Sequence, residues 1–416
     1  MLALPGPPGW TPEPFSYHYT PAPPIFPVEV FERIIDFCAH PANLPNALSD
    51  SRATLRIWAL TCTALLRRSR YHLWREIRLR DAEEVNALVR TLRNNTHIHT
   101  FIRFLDVWLD APSSIFTSLM IAKLPHLQYI HISGERPLRH KDFFPTMKQF
   151  KTVTMLWISF RIQAQQLMRL LCCFPNLQFL RLDGEDDCYA PIPRAKHYAP
   201  KFQLECLQFK FSSRESQIKA WRYVLRCLAD APGCLNSLKI LDLDFHDTWD
   251  GMHFDMERIS FILSAAHATL VEVVITHSHD WNTEDQGENF PNAINFLSFS
   301  DNAALRRLII RFDWIGQKDL SGLLQVLETI PAGVLECLAM EFRKMSLLEI
   351  DSLWWQDLDK LLCSDRFKSL HSVELSYSDG KFAEVLTGLK AKGILRLALP
   401  SNLPVGRWMR RRDFWL

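Results

Sequence analysis

Between residues 244 and 280 the sequence carries Asp244, His246-Asp247, His277 and His279-Asp280, imidazoles next to carboxylates. Such pairs can bind a metal or move a proton, because imidazole changes charge near neutral pH and a neighbouring carboxylate fixes its tautomer. A working site would need them to converge in space. The stretch HATLVEVVITHSHD holds no HExxH zinc-protease pattern, no GxSxG nucleophile turn and no Walker phosphate loop. These groups read as polar residues at the ends of strands, and no catalytic residue is expected. Ten cysteines are present without a single CxxC pair, so the paired spacing of a structural zinc site is absent. Cys38, Cys62 and Cys227 fall on apolar faces and read as small hydrophobes of a reducing compartment. Neither metal nor cofactor is expected.

Recognition is the chemistry that the side chains favour. Phe104, Asp106, Trp108, Tyr129, His131, Met155, Trp157, Phe179 and Arg181 each sit one residue away from an apolar position. On a strand, alternate side chains face opposite ways, so these residues share one face and point away from the core. Aromatic side chains and arginine dominate binding hot spots. Phe104, Trp108, Tyr129, Trp157, Phe179 and Arg181 are therefore the expected contacts for a protein target. Farther along, the same face carries Asp242, Asp244 and Glu272, then Arg307 and Arg311, which predicts a solvated face that neutralises itself.

The elements that carry this face recur. The pattern Φ-x-x-Φ-x-Φ, with Φ apolar, fits Trp74-Ile77-Leu79, Ile102-Leu105-Val107 and Leu127-Ile130-Ile132. It returns nine more times, from Val153-Leu156-Ile158 to Ile394-Leu397-Leu399, at intervals of 24 to 35 residues. Helical candidates such as SSIFTSLMIAKL, IQAQQLMRLLCCF and ISFILSAAHATL fill the gaps. A strand and a helix repeated near this period predict a solenoid with a parallel concave sheet and helices on its convex side. A Rossmann-type domain is the rival α/β arrangement, weakened because no glycine-rich phosphate loop follows any strand.

Ahead of the array the period changes to that of helices. In FPVEVFERIIDFCAH the apolar residues Phe31, Ile34, Ile35 and Cys38 form one helical face, with Pro27 suited to the helix start. After the polar break PANLPNALSD, a second helix places Leu55, Trp58, Ala59 and Cys62 together, with Asp50 or Ser51 as its expected N-cap. A third covers roughly Thr63 to His72. Residues 25–80 resemble an F-box. Phe26-Pro27-Val28-Glu29 stands at the family's Leu-Pro-x-Glu opening with Phe for Leu, Ile34-Ile35 at the first-helix pair, LTCTALLRRSR at the later helix and Trp74 at the closing tryptophan. The stretch Pro41 to Arg52 is longer than the family's usual link. The resemblance implies that Phe26, Pro27, Val30, Ile34, Ile35, Leu60 and Leu65 bind a Skp-family adaptor, and through it a cullin scaffold. The array that follows resembles irregular leucine-rich repeats, although most repeats lack the Asn or Cys that follows the family's strand.

Four segments result: a proline-rich arm at 1–24, the F-box at 25–80, the repeat array at 81–400 and a basic-aromatic tail at 401–416. Nine of the 24 prolines lie within residues 1–27, where helix and central strand are both blocked. The tail, GRWMRRRDFWL, reads as aromatics that close the last hydrophobic layer. With 48 Lys+Arg against 46 Asp+Glu the net charge is +2, unlike the clustered positive charge of an obligate nucleic-acid binder. No apolar window reaches the length of a membrane span and no signal peptide is evident, so a cytoplasmic or nuclear protein is expected. The resemblance implies the substrate-recruiting adaptor of a ubiquitin ligase, with no catalytic residue of its own. A plain repeat scaffold whose helical unit is only an N-terminal cap is the alternative.

Overall fold

The structure of the protein is a computed structural model. It describes residues 27–39, 47–61, 63–108, 123–134, 142–160, 162, 164–183, 200–211, 224–231, 233–246, 256–278, 297–312, 317–342, 352–376 and 382–398. The chain divides into two compact units, Met1–Leu73 and Trp74–Leu416. The arm at 1–24, Phe26, Cys62, the tail at 401–416 and most of the helical candidate SSIFTSLMIAKL lie outside the described residues.

Three helices open the chain: α1 (Val28–Ala39), α2 (Ala47–Thr61) and α3 (Thr63–Arg75). Pro27 starts α1 as its sequence predicts, its carbonyl accepting the N–H of Val30 at 3.0 Å. Helix α2 begins at Ala47, so Asp50 and Ser51 lie inside it and neither is its N-cap. Helix α3 continues three residues past the expected His72.

Beyond Trp74, twelve strands form one parallel sheet in which spatial order equals chain order. They are β1 (Glu76–Leu79), β2 (Phe104–Trp108), β3 (Tyr129–Gly134), β4 (Met155–Phe160), β5 (Phe179–Asp183), β6 (Cys206–Phe211), β7 (Ile240–His246), β8 (Glu272–Ser278), β9 (Arg307–Phe312), β10 (Cys337–Phe342), β11 (Ser372–Ser376) and β12 (Leu395–Ala398). Among the crossovers are α4 (Ala82–Asn94), α5 (Phe143–Met147), α6 (Ala164–Leu171), a helical stretch at 224–230, α7 (Met256–Ala265), α8 (Gln317–Thr329) and α9 (Ser352–Cys363). Parallel neighbours require such connections, since a tight turn reverses the chain.

Register follows the apolar pattern. Leu105 pairs with Ile130, Ile130 with Leu156, Leu156 with Leu180 and Leu180 with Leu207. All five are buried in one continuous core with Leu88 and Leu92 of α4, Leu167 of α6 and Ile262 of α7. Each such side chain contributes roughly 1.5–3 kcal/mol of burial, and every repeat supplies several. The last repeat departs from the expected register by two residues: Leu395 and Leu397 pair with Val373 and Leu375, where Leu397 and Leu399 were expected. Burial sets register, and at this end Leu397 remains half exposed, so the apolar pattern constrains it weakly.

A backbone device ties repeat to repeat. The carbonyl of Arg103, just before β2, accepts the N–H groups of Gln128 and Tyr129 at 2.9 and 3.0 Å. The carbonyls of Gln128, Thr154, Gln178, Glu205, Lys239, Val271 and Arg306, each just before its own strand, do the same for the next repeat. Side chains add further ties: Thr152 donates to the Leu127 carbonyl at 2.7 Å, and Thr269 to that of Leu238 at 2.9 Å.

The helical unit is closed by one carboxylate. Asp36 of α1 accepts both Nε and Nη2 of Arg68, each at 2.6 Å, and Nε2 of the buried His72 at 2.7 Å, both from α3. The Arg68 hydrogen bonds hold the Asp36 carboxyl below the usual carboxylate range. A carboxyl whose folded pKa is depressed adds stability that is complete above its unfolded pKa and disappears as pH falls through the folded value. Hydrogen exchange should therefore show α1 and α3 losing protection on acidification below about pH 4. Asp36→Asn should start with less protection and lose that acid dependence.

Candidate protein-binding face

The face of the sheet opposite the helices carries the residues expected to meet a target, in rows that run across the strands. Phe104, Tyr129, Met155 and Phe179 form one row by register, and Asp106, His131, Trp157, Arg181 and Gln208 the next. Five of the six expected target contacts (Phe104, Tyr129, Trp157, Phe179 and Arg181) are half-buried, while Trp108 is 52% exposed, the most open of the six.

These side chains are already organised by one another. Trp157 lies between two planar groups: the His131 ring stacks on it at 4.0 Å between centroids and 23°, and the Arg181 guanidinium carbon sits 4.1 Å from its centroid. A carboxylate clamps each end of this stack. Asp183 accepts the Trp157 indole N–H at 2.6 Å and the Arg181 Nε–H at 2.9 Å. Asp106 bonds Nδ1 of His131 at 2.8 Å, with Arg78 3.9 Å away on the neighbouring strand. In the adjacent row Phe104 and Tyr129 meet at 5.6 Å, and the guanidinium of the buried Arg75 lies 5.2 Å from the Phe104 ring. Side chains immobilised beforehand lose little rotamer entropy when a partner arrives.

Residue types alone did not reveal the clamps. The signal lies in the two-residue spacing of Arg181 and Asp183, which puts opposite charges on the same face of a strand, and in register, which brings Asp106 beside His131. Nε2 of His131 also lies 3.2 Å from Oγ of Ser159, so Asp106, His131 and Ser159 are bonded in the order of a nucleophilic triad. Acyl transfer further needs donors for an oxyanion. Ser159 is in register with Ser133 of β3, no such donor pair is found at it among the described residues, and the imidazole is covered by indole. The arrangement fixes side chains in place.

From β7 onward the face changes character. Arg311 pairs with Glu341 at 3.3 Å and Arg307 approaches Glu272 at 3.9 Å, so opposite charges do meet. They are not solvated, however: the Arg311 and Glu341 side chains are 8% and 3% exposed, and Val274, Ile309 and Ala339 form a buried apolar cluster on the same face. The sequence marks this shift in the runs VVI, LII and LAM, where alternation gives way to continuous apolar residues, as in strands buried on both faces. The open face is thus that of the early strands. Backbone register sets Phe245 beside His277 and His246 beside Ser278, while Asp247, His279 and Asp280 lie outside the described residues. Among the described residues no cluster of His, Cys, Asp and Glu could hold a metal ion, and no helix is long and apolar enough to cross a membrane. Burial pushes the Cys173 thiol up to about 11 and Cys234 to about 12, which keeps both as unreactive thiols.

In the helical unit, Pro27 is exposed, as are Val30 (38%), Ile34 (44%) and Leu60 (87%), and Leu65 is half-buried. Ile35 is 1% exposed, which assigns it to the core of the unit and not to its surface. The sequence matches no protein-family model and no curated protein.

Asp242, which accepts a hydrogen bond from Gln208 at 2.9 Å, borders both parts of the face. Loss of hydration on burial, with Asp244 adding like charge and Arg311 opposing, pushes its carboxyl up to about 7. A raised folded pKa contributes stability that is complete below the unfolded value near 4 and is lost as pH rises through about 7. The urea midpoint of the array should therefore fall between pH 5 and 7.5, and Asp242→Asn should flatten that slope. An equal slope in the variant would assign the titration to another group.

Proposed function

We propose that the protein is a substrate-recruiting adaptor of an SCF-type ubiquitin ligase, its helical unit an F-box and its repeat array the target-binding part. The observation that carries this reading is where the apolar surface lies. Of the ten large hydrophobic side chains exposed among the described residues, five (Val28, Val30, Ile34, Ile57 and Leu60) belong to α1 and α2. Exposed apolar groups gathered on so short a segment mark a partner surface. They accompany the Phe26-Pro27-Val28-Glu29 opening, which a mere N-terminal cap has no need of.

In this role the chain supplies position and no bond-making chemistry. A Skp-family adaptor held on α1 and α2 brings the cullin-bound conjugating enzyme, and the clamped stack around Trp157, with Trp108 projecting beside it, holds the target. The gain is effective concentration of a target lysine near the enzyme. The repeats would be of the irregular leucine-rich kind, their turns closed by backbone and threonine contacts where the family uses a side-chain ladder.

Co-purification with a Skp-family adaptor tests this reading. Wild type should bind, and Pro27→Ala/Ile34→Asp should lose binding by at least about tenfold, since a charge placed on an apolar contact is left desolvated. Ile34 is exposed, so circular dichroism of this variant should match wild type, whereas Ile35→Asp should unfold the helical unit. Failure of the folded wild type to bind any Skp-family adaptor would leave the helices as a cap on a repeat scaffold.

A further inference from the structure

A second recognition surface lies on the rim of the array, along the side from which the strands begin. There a groove of about 660 Å³ runs across the early repeats. One wall is the row just before the strands, Arg103, Gln128, Thr154 and Gln178, and the other is the turn row His126, Thr152, Asn176 and Gln203, with Lys201 at its far end. Among the described residues two cations line the groove and no carboxylate does. Arg103 spends one N–H on the His126 carbonyl at 3.4 Å, and neither it nor Lys201 meets a carboxylate among the described residues.

The same row continues past the groove and is built differently there. Lys239 pairs with Glu205 at 2.9 Å across adjacent strands, and Arg306 with Glu336 at 3.3 Å. Cations of the later rim therefore meet an anion from the neighbouring repeat, whereas those of the early rim do not. Thr152 and the Asn176 amide are occupied in ties to the preceding turn. The Gln128 and Gln178 carboxamides have no such tie, and each offers both a donor and an acceptor.

We infer that this groove binds an extended acidic peptide segment. Four inter-strand spacings separate the β2 and β6 ends of the groove, about 19 Å, which an extended chain of about six residues spans. The two cations near its ends select for acidic side chains near the ends of that segment. The carboxamides between them match the alternating donors and acceptors of a peptide backbone, a match that a bare polyanion does not need. This surface is separate from the Trp157 face, and the inference does not depend on the ligase reading.

The test is fluorescence anisotropy of the full chain with fluorescein-labelled octaglutamate, using octalysine and inorganic polyphosphate as comparators. Saturable binding of octaglutamate that weakens with salt is expected, with no binding of octalysine. Arg103→Glu/Lys201→Glu should lower affinity at least about tenfold. Gln128→Ala/Gln178→Ala, which leaves the charge unchanged, should lower it severalfold, and Arg306→Gln, in the neutralised part of the rim more than a Debye length from the groove, should leave it unaltered. No saturable binding by wild type, or an equal loss in Arg306→Gln, overturns the inference. Polyphosphate binding with no competition from octaglutamate would overturn it in favour of a simple polyanion site.

Discussion

The carbonyl that precedes each strand and accepts two N–H groups from the next repeat is the contact on which the array depends. A buried or half-buried backbone group left without a partner costs about 1–3 kcal/mol, and every repeat brings the same groups to the same rim. Eight successive lead residues resolve this without help from any particular side chain. The rim therefore tolerates Arg, Gln, Thr, Glu, Lys and Val in one structural position, and their side chains are released for surface chemistry. An unpaired arginine at one end of the row and matched ion pairs at the other are both compatible with the same backbone.

The strands impose the complementary constraint. Alternation assigns one set of side chains to the core, and strict register aligns the other set into rows. Whatever occupies a row must be accommodated by its neighbours about 4.8 Å away on either side. In the early repeats the solution is polar and aromatic: imidazole and guanidinium flank the indole, with Asp106 and Asp183 bonding their edges. In the later repeats it is apolar burial with a desolvated Arg311–Glu341 pair. One sheet thus presents two kinds of face along its length.

Much of this was legible in the sequence, for a physical reason. Leu105, Ile130, Leu156 and their counterparts recur because each strand must cover the same core, and twelve such strands 24 to 35 residues apart, with no glycine-rich phosphate loop after any of them, favour a solenoid over a Rossmann-type sheet. The placing of Trp108 and Trp157 on the face away from the core follows from that register. What was hidden depends on neighbours remote in sequence. That Asp183 would hold both Trp157 and Arg181, or that Asp36 would gather Arg68 and His72 from another helix, needs contacts that no local window contains. The two-residue slip at Leu395 arose where the core ends and burial no longer enforces register.

Because spatial order equals chain order, each strand pairing joins residues about one repeat apart, as with Phe104 and Tyr129 or Leu207 and Leu241. The relative contact order of the sheet is on the order of 0.07, in the range of small helical bundles and far below that of barrels or sandwiches. Folding can start at any well-packed pair of repeats and spread in both directions, with no long loop to close first. The same connectivity confines the effect of an inserted or deleted repeat to the two neighbours at the splice.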